Sequence, residues 1–389
     1  MRSFRSASWK ILAVGFAAAV AVMVGTVPAY AASWQVVASP NASGNDYLGH
    51  VAAISPSNLW SVGGAYSLSS SEATLIEHYN GTSWQITPSP NPANCRYCTL
   101  LGVSGSSASD IWSVGLDLVS KGRTFPLIEH YNGSAWSLVP SAAPTQLGGL
   151  SDVAALSPAN AWAVGSGRAP GGPLVEHYDG TSWAIVPTSL TTGGDLAAMT
   201  AVSANDIWAV GNQPGAAGAS PVGLAMHYNG TSWTQSALPA PSVPAGGLWE
   251  LSGISATSGS DVWAVGYWSS ADGLSQHVIV EHFNGTSWSL TQAPDLGPNY
   301  PINVSSGVAA LSPTDVWAIG QSSPGNQTFA TLVEHFDGTK WTVQPAPSMS
   351  GNFLSFAGLV STGPGQLWAT GARIPNGSGV FQTATAHYS

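Results

Sequence analysis

The sequence predicts an all-β protein, a seven-bladed β-propeller of four-stranded blades in which an N-terminal strand closes the last blade. Three observations predict this fold. A unit of roughly 50 residues occurs seven times. Each intact unit carries an Asn-Gly or Asp-Gly pair between two apolar segments, the strongest short hairpin signal. The chain ends inside its seventh unit, and the missing half of that unit lies near the N-terminus. Closed rings of strand units at this period are β-propellers.

The repeat has two halves. The first half, "LWSVGG" in the first unit, recurs around seven tryptophans spaced 46 to 55 residues apart: Trp60, Trp112, Trp162, Trp208, Trp263, Trp317 and Trp368. The second half, "LIEHYNGTSW", recurs six times. The seventh copy stops at "ATAHYS", while "SWQVVASPN" at the N-terminus matches "SWQITPSPN" of the first unit. The two termini are therefore predicted to share one blade, which leaves no ring end open to aggregate.

Each unit reads as four strands. In the first unit they are "LGHVAAIS", "LWSVGG", "TLIEHY" and "SWQIT". Asn-Gly and Asp-Gly tolerate the positive φ angles that a two-residue hairpin requires. In the fourth strand Trp84 and Ile86 alternate with Gln85, so we expect both to be buried against the next blade.

These residues carry a resemblance. "LWSVGG", an aromatic residue in the third strand and a following tryptophan resemble the kelch repeat, over all seven units. Only the first copy has the full glycine pair. The "NGTSW" hairpin is similar to the Asp-box of sialidase-like propellers. The whole chain resembles secreted bacterial propellers more than any enzyme.

Residues 1–31 read as a secretory signal peptide. Arg2, Arg5 and Lys10 precede an apolar run over 11–27, and Ala29-Tyr30-Ala31 fits a cleavage site. We therefore expect cleavage near Ala31, an extracellular protein, and a single propeller domain over residues 32–389. The alternative is an uncleaved membrane anchor, for which the run is short. No later segment could cross a bilayer, so no membrane insertion is expected.

The charge composition limits the classes of partner that the chain can be expected to bind. Of 389 residues only 7% are charged, and the 19 acidic residues all follow residue 31. Only six basic residues follow it, which gives the mature chain a net charge of −13 (6 − 19). Nucleic acids and anionic membranes require basic patches, so neither is an expected partner. Nothing in the sequence indicates an oligomer, and a monomer is expected.

The two cysteines lie in "NCRYC", as Cys95 and Cys98. In an exported chain this pair predicts a small disulfide that tightens a loop. A redox C-x-x-C motif would need a βαβ context, which is missing. Zinc would need two further ligands, and no second matching pair is present, so no metal is expected.

One histidine and, in five units, one glutamate recur in the third strand. The histidines are His78, His130, His177, His227, His282, His335 and His387. Placed once per blade, they cannot converge on one ion. They resemble the structural Asp, His, Ser/Thr and Trp network of WD-repeat propellers, as with Ser55, Asn58, Trp60 and His78. The glutamates are expected to be structural in the same way: Glu77, Glu129, Glu176, Glu281 and Glu334.

Ligand-binding residues are expected where the repeat varies. The loops between strands two and three and between blades share one propeller face, and variable loops on a rigid scaffold usually carry binding residues. Candidate ligand-binding residues in these loops are Arg96, Tyr97, Trp249, Glu250, Trp268, Asp272 and Tyr300, with Tyr47, Asn299, Asn352 and Phe353 as further aromatic and polar neighbours. Aromatic rings beside polar groups suit sugars, whose C–H faces stack on the ring. The alternative is that these rings fill loop interiors.

The first strands are predicted to line the central channel. Their third positions are His50, Gly102, Asp152, Ala198, Gly253, Gly307 and Gly358. His50 and Asp152 are the two polar residues in this set, so they are further ligand candidates at the channel mouth.

Three functions remain open. The first is a secreted, non-enzymatic binding protein that recognises carbohydrate or cell-surface material through its variable loops. The second is a carbohydrate-active enzyme, a glycosidase or lyase. It would need two carboxylates across a cleft, and no spacing selects a pair among Asp195, Glu250, Asp272 and Asp295. The third is a scaffold that binds a protein partner. No catalytic motif or cofactor signature occurs, so no catalytic residues and no cofactor are predicted.

Overall fold

The structure is a computed structural model. It describes residues 32–42, 44–67, 71–93, 95–119, 123–143, 148–167, 172–191, 193–294, 296, 299–324, 329–351 and 353–389. The predicted leader lies outside these residues, as do Lys121, Arg168, Asp295 and Asn352. Within the described part of the chain, no helix combines the length and apolarity needed to cross a membrane.

The described residues form seven four-stranded antiparallel blades, which confirms the predicted β-propeller. A short 3-10 turn, Ala216–Gly218, lies in a loop of blade 4. The strands of blades 1 to 4 are β2 (Asn45–Ser55), β3 (Asn58–Ser67), β4 (Ser71–Tyr79), β5 (Trp84–Ile86); β6 (Tyr97–Ser107), β7 (Asp110–Val119), β8 (Arg123–Tyr131), β9 (Trp136–Leu138); β10 (Gly148–Ser157), β11 (Asn160–Gly167), β12 (Leu174–Tyr178), β13 (Trp183–Ile185); β14 (Asp195–Ser203), β15 (Asp206–Gln213), β16 (Val222–Tyr228) and β17 (Trp233–Ser236). The strands of blades 5 to 7 are β18 (Leu248–Ser258), β19 (Asp261–Ser269), β20 (Gln276–Phe283), β21 (Trp288–Thr291); β22 (Ile302–Ser312), β23 (Asp315–Ser323), β24 (Ala330–Phe336), β25 (Trp341–Val343); β26 (Phe353–Gly363), β27 (Gln366–Ile374), β28 (Gln382–Tyr388) and β1 (Trp34–Val37).

Blade 7 is built from both ends of the chain, as the split repeat predicts. Strand β1 pairs antiparallel with β28, from Trp34 opposite Tyr388 to Val37 opposite Thr385. The backbone N–H of Ser33 also donates to the carbonyl oxygen of Ser389, at 3.1 Å. The ring is therefore closed by backbone hydrogen bonds rather than by a covalent link.

Tryptophan rings join neighbouring blades. Trp112 of blade 2 meets Trp183 of blade 3 edge to face, with ring centroids 5.2 Å apart, and Trp84 of blade 1 meets Trp368 of blade 7 at 5.7 Å. The fourth-strand tryptophan thus packs against the preceding blade, not the next one. The prediction for Ile86 is also wrong, because its side chain is 40% exposed. Strand β5 is three residues long, and only its first residue, Trp84, is buried.

The histidine network is structural within each blade. In all seven blades the third-strand histidine stacks on the second-strand tryptophan, with centroids 4.0 to 4.6 Å apart. In six blades its Nε2 atom also forms a hydrogen bond of 2.7 to 3.0 Å with an Asp or Asn at the start of the second strand. Gln366 occupies that position in blade 7. The rings therefore hold the short turns in place.

Three of the five third-strand glutamates, Glu77, Glu129 and Glu176, accept a hydrogen bond from a serine of the preceding blade. Ser39, which follows β1, donates to Oε2 of Glu77 in blade 1 at 2.8 Å. Ser141 donates in the same way to Glu176, at 2.6 Å. All five glutamates are fully buried. Each of these serines is the fifth residue after a fourth-strand tryptophan. We call this Ser–Glu pair the inter-blade latch.

The two propeller faces differ as the repeat predicts. The Asn-Gly hairpin of blade 1 lies against its "SPSN" turn: Gly81 has φ +92°, and a Cβ atom there would lie 2.9 Å from the Cβ of Ser57. The variable loops meet on the other face, where the N–H of Glu72 donates to the carbonyl oxygen of Arg96. We call this second surface the loop face.

Candidate functional site

The central channel contains a cavity of about 350 Å³. In every blade the ladder between the first two strands carries a β-bulge, which in blade 1 leaves Gly49 between the paired Leu48 and His50. The bulged residues of all seven blades line the cavity: Gly49, Leu101, Ser151, Ala197, Ser252, Ser306 and Ala357. Five of the seven predicted third positions line it as well, including His50 and Asp152. Sequence reasoning missed the bulge because it has no residue signature of its own.

His50 and Asp152 tie neighbouring blades together inside the channel. The N–H of Val103 donates to Nδ1 of His50 at 3.3 Å, so the neutral ring carries its proton on Nε2. That Nε2 lies 3.8 Å from Oδ1 of Asp152. The Asp152 carboxylate accepts the N–H groups of Val153 and Met199, both at 2.8 Å. Burial raises the pKa of Asp152, and the nearby His50 and the two N–H donors oppose that rise.

The two tryptophans proposed to stack on a sugar do not form an open platform. Trp249 lies in β18, not in a loop, and its ring is buried. It covers Gly223 of blade 4, where an added Cβ would clash with the ring at 2.1 Å. The prediction of an exposed Trp249 is therefore wrong. Trp268 pairs opposite it on β19, is only partly exposed, and stacks on His277 at 4.3 Å. The β18–β19 ladder thus continues through Trp249 and Trp268, where the sequence had predicted loops.

The polar candidates of blade 5 and its exit loop differ in how far they are exposed. Glu250 is half-buried and accepts a 3.3 Å hydrogen bond from the Asn212 amide. Asp272 is exposed in a tight turn, where donation from Ser270 lowers its pKa. Tyr300 is exposed in the loop before blade 6.

Arg96 and Tyr97 lie at the junction of blades 1 and 2. The Arg96 guanidinium lies over the Tyr97 ring, 5.5 Å from its centroid, and Tyr97 stacks on Tyr66. The predicted disulfide is present between Cys95 and Cys98, whose Cα atoms are 5.9 Å apart. It closes the short loop that carries Arg96. This loop is thus held in position beside two aromatic rings.

An apolar pocket opens on the loop face between blades 7 and 1. It has a volume of about 250 Å³ and is walled by three aromatic side chains, Tyr47, Phe353 and Phe381. Phe353 meets Phe381 edge to face at 5.3 Å. The Tyr47 hydroxyl is fixed by Glu72 at 2.5 Å and Thr99 at 2.7 Å. The sequence pointed to Tyr47 and Phe353 but not to Phe381, because the loop that carries Phe381 has no counterpart in the other units.

The charged residues of the loop face are unevenly placed. Four basic residues after residue 31 lie in the part of the chain that the structure describes. Three of them are at the loop face: Arg96 between blades 1 and 2, Arg123 in blade 2 and Arg373 in blade 7. Lys340 belongs to a hairpin on the opposite face. Arg373 bonds to Gln382, the neighbour of Phe381. Among the described arginines, Arg373 is therefore the one tied by a hydrogen bond to the strand that follows Phe381.

Comparison with known proteins shows the fold. No family model matches the chain, and no curated protein sequence matches it. Solved structures do match. One is described as YCF48 bound to D1 peptide, with a TM-score of 0.54 and 14% identity, covering 91% of this chain and 94% of that one. Another is YCF48 from Cyanidioschyzon merolae, with a TM-score of 0.55 and 15% identity, covering 92% and 98%. At these identities the likeness shows a β-propeller and no shared function.

Proposed function

We propose that the chain is an exported, non-enzymatic binding protein that holds an extended polypeptide on its loop face. The observation that carries this proposal is the pocket between blades 7 and 1. Its volume is small for a sugar chain or a cofactor, whose sites are commonly about 300–1,000 Å³. An apolar pocket with three aromatic walls suits one large side chain of a partner, the usual form of a binding hot spot.

The charges on the loop face indicate which kind of polypeptide would bind there. Arg96, Arg123 and Arg373 lie on the same loop face as the pocket, in blades 1, 2 and 7 or their junctions, whereas the chain as a whole is strongly acidic. Opposite charges around an apolar anchor speed association and fix its register. The proposed ligand is therefore a segment with an aromatic or large aliphatic residue next to carboxylates. The YCF48 structure described as bound to D1 peptide supports only the general point that a propeller of this shape can hold a peptide.

The glycan hypothesis is the second candidate. It loses support because Trp249 is buried, and it keeps support from the exposed Tyr300 and the partly exposed Trp268. A sugar would stack there, in blade 5, and not in the pocket of blades 7 and 1. The two candidates therefore predict sensitivity to substitutions on different sides of the loop face.

The test is selection from a random peptide library, alongside a glycan array, with the purified mature chain. We expect enriched peptides with an apolar anchor beside acidic residues. Phe381→Ala and Arg96→Glu should each weaken their binding at least tenfold. Lys340→Glu is the matched control, because it changes the net charge equally on the opposite face, and it should change affinity less than twofold.

Three results would count against the proposal. Enriched peptides whose affinity ignores Phe381 and Arg96 would place the site elsewhere. Array binding that is lost on Trp268→Ala or Tyr300→Ala, without any selective peptide, would favour the glycan hypothesis. Turnover of a retained glycan would make the protein an enzyme.

A further inference from the structure

We propose that Cys95, Cys98 and Asp117 bind one zinc ion when the two cysteines are in the dithiol state. The disulfide and the metal are then two alternative states of the same loop. This site is independent of the pocket between blades 7 and 1.

The three side chains converge through the pairing of two strands. Cys98 lies near the start of β6, directly opposite Asp117 on β7. Among the described residues these three form the one group of His, Cys, Asp or Glu whose potential ligand atoms could hold an ion, all within 4.8 Å of one another. A C-x-x-C pair is the common half of a tetrahedral zinc site. The sequence lacked a second pair, and Asp117 supplies a third ligand from 19 residues further along the chain.

The distances fit a tetrahedral ion. With Zn–S near 2.3 Å and Zn–O near 2.0 Å, a tetrahedron places sulfur and oxygen about 3.5 Å apart and two sulfurs about 3.8 Å apart. The Sγ of Cys98 lies 3.5 Å from Oδ1 of Asp117. This pair therefore needs no rearrangement. Cys95 is the ligand that must shift, so that its sulfur separates from that of Cys98, and it lies in the loop before β6, which reduction of the disulfide releases.

The fourth position has room and a route from solvent. Asp117 lines a surface cavity of about 360 Å³, together with Pro92, Phe125 and Ser141. Water in this cavity could complete the coordination sphere, as in zinc sites with three protein ligands. Cys98 itself is buried, so the ion would reach it from the Asp117 side.

An external dithiol reduces the Cys95–Cys98 disulfide before zinc binds. Two electrons from the dithiol break the S–S bond and give two thiols, while the dithiol becomes a disulfide. Zinc then displaces both thiol protons to solvent and binds the two thiolates. Bound zinc blocks reformation of the Cys95–Cys98 bond, because both sulfurs are occupied.

The test is a zinc titration of the mature chain against a chromophoric chelator, in the oxidised form and after anaerobic reduction and removal of the reductant. The oxidised chain is the matched control, because it keeps all nine histidines of the sequence. We expect one additional equivalent of zinc in the reduced chain. Cobalt in its place should give the visible spectrum of a tetrahedral thiolate site.

Variants separate the ligands. Paired Cys95→Ser and Cys98→Ser should abolish the additional equivalent, and Asp117→Asn should weaken it at least tenfold. Circular dichroism of each variant under the same conditions is the check that it stays folded. Equal zinc binding by the oxidised and reduced chains would overturn the proposal. So would a reduced Asp117→Asn chain with unchanged affinity and cobalt spectrum, because the oxygen ligand would then be wrong.

Discussion

At the scale of single residues, the inter-blade latch shows that a buried carboxyl group is stabilised only where a hydrogen-bond donor reaches it. Glu176 accepts hydrogen bonds from Ser141 Oγ and from the N–H of Ala142. Glu281 is equally buried, but neither of its carboxyl oxygens has a hydrogen-bond partner among the described residues. Leu238 occupies the position where a latch serine would stand. Burial raises the pKa of Glu281 to about 8, so it remains protonated at neutral pH.

This difference predicts opposite effects of one substitution. In blade 4 the repeat already places Met226 at the latch position. Glu281→Met should therefore raise the free energy of unfolding by about 1–3 kcal/mol, because it removes an unpaired buried polar group. Glu176→Met should lower it by a similar amount, because Ser141 and Ala142 lose their acceptor. Denaturant unfolding of both variants measures this, and a loss of stability in Glu281→Met would show that its carboxyl has a partner.

At the scale of elements, strand β1 replaces a covalent closure of the ring. It contributes four residues to blade 7, and Trp34 packs on Tyr388 with centroids 5.4 Å apart. Without it, the edge of β28 would be open to pairing with another chain. Removal of residues 32–41 should lower the melting temperature by several degrees and cause self-association, visible in light scattering. A synthetic peptide of residues 33–41 should reverse both effects.

A circular permutant is the control for this prediction. Joining Ser389 to Ser33 by a short linker and opening the chain at Asn80-Gly81 keeps every strand, because Ser33 and Ser389 are hydrogen-bonded neighbours. It should keep the parent's melting temperature. A truncated chain that stays monomeric and equally stable would mean that β1 is dispensable.

The strands also show how much of the fold the sequence predicts. The seven tryptophans and six Asn-Gly or Asp-Gly pairs predicted every blade, because a repeated pattern averages out local ambiguity. The split of blade 7 followed from matching Trp34 with Trp84. The residues of the loop-face pocket could not be predicted in the same way, because the loops differ from unit to unit and a repeated pattern says nothing about them. Trp249 read as a loop residue, yet the strand extends through it, and only the tertiary position of Gly223 shows why its ring is buried.

At the scale of the whole molecule, the buried acids make stability depend on pH. Burial raises the pKa of Glu77, Glu129 and Glu281 to about 8 and that of Glu334 to about 7, from 4.5 in the unfolded chain. The folded state therefore holds protons that the unfolded state has released, and stability falls as pH rises from about 4.5 to about 8. Burial lowers the pKa of three histidines, His78, His177 and His387, which acts in the opposite direction below pH 6.5.

Above pH 6.5 the carboxyl groups dominate the pH dependence, because these histidines are largely neutral in the folded chain and lose their remaining protons in the unfolded chain within about one pH unit. Between pH 6.5 and 8.5 we expect the free energy of unfolding to fall, by on the order of 1–2 kcal/mol for each glutamate whose folded pKa is near 8. Glu77→Gln with Glu129→Gln should flatten the profile, because glutamine can pair with Ser39 and Ser89 and does not titrate. Denaturant midpoints at constant ionic strength measure the slope. Equal slopes in the parent and the double variant would show that the latch acids ionise in the folded ring at no cost.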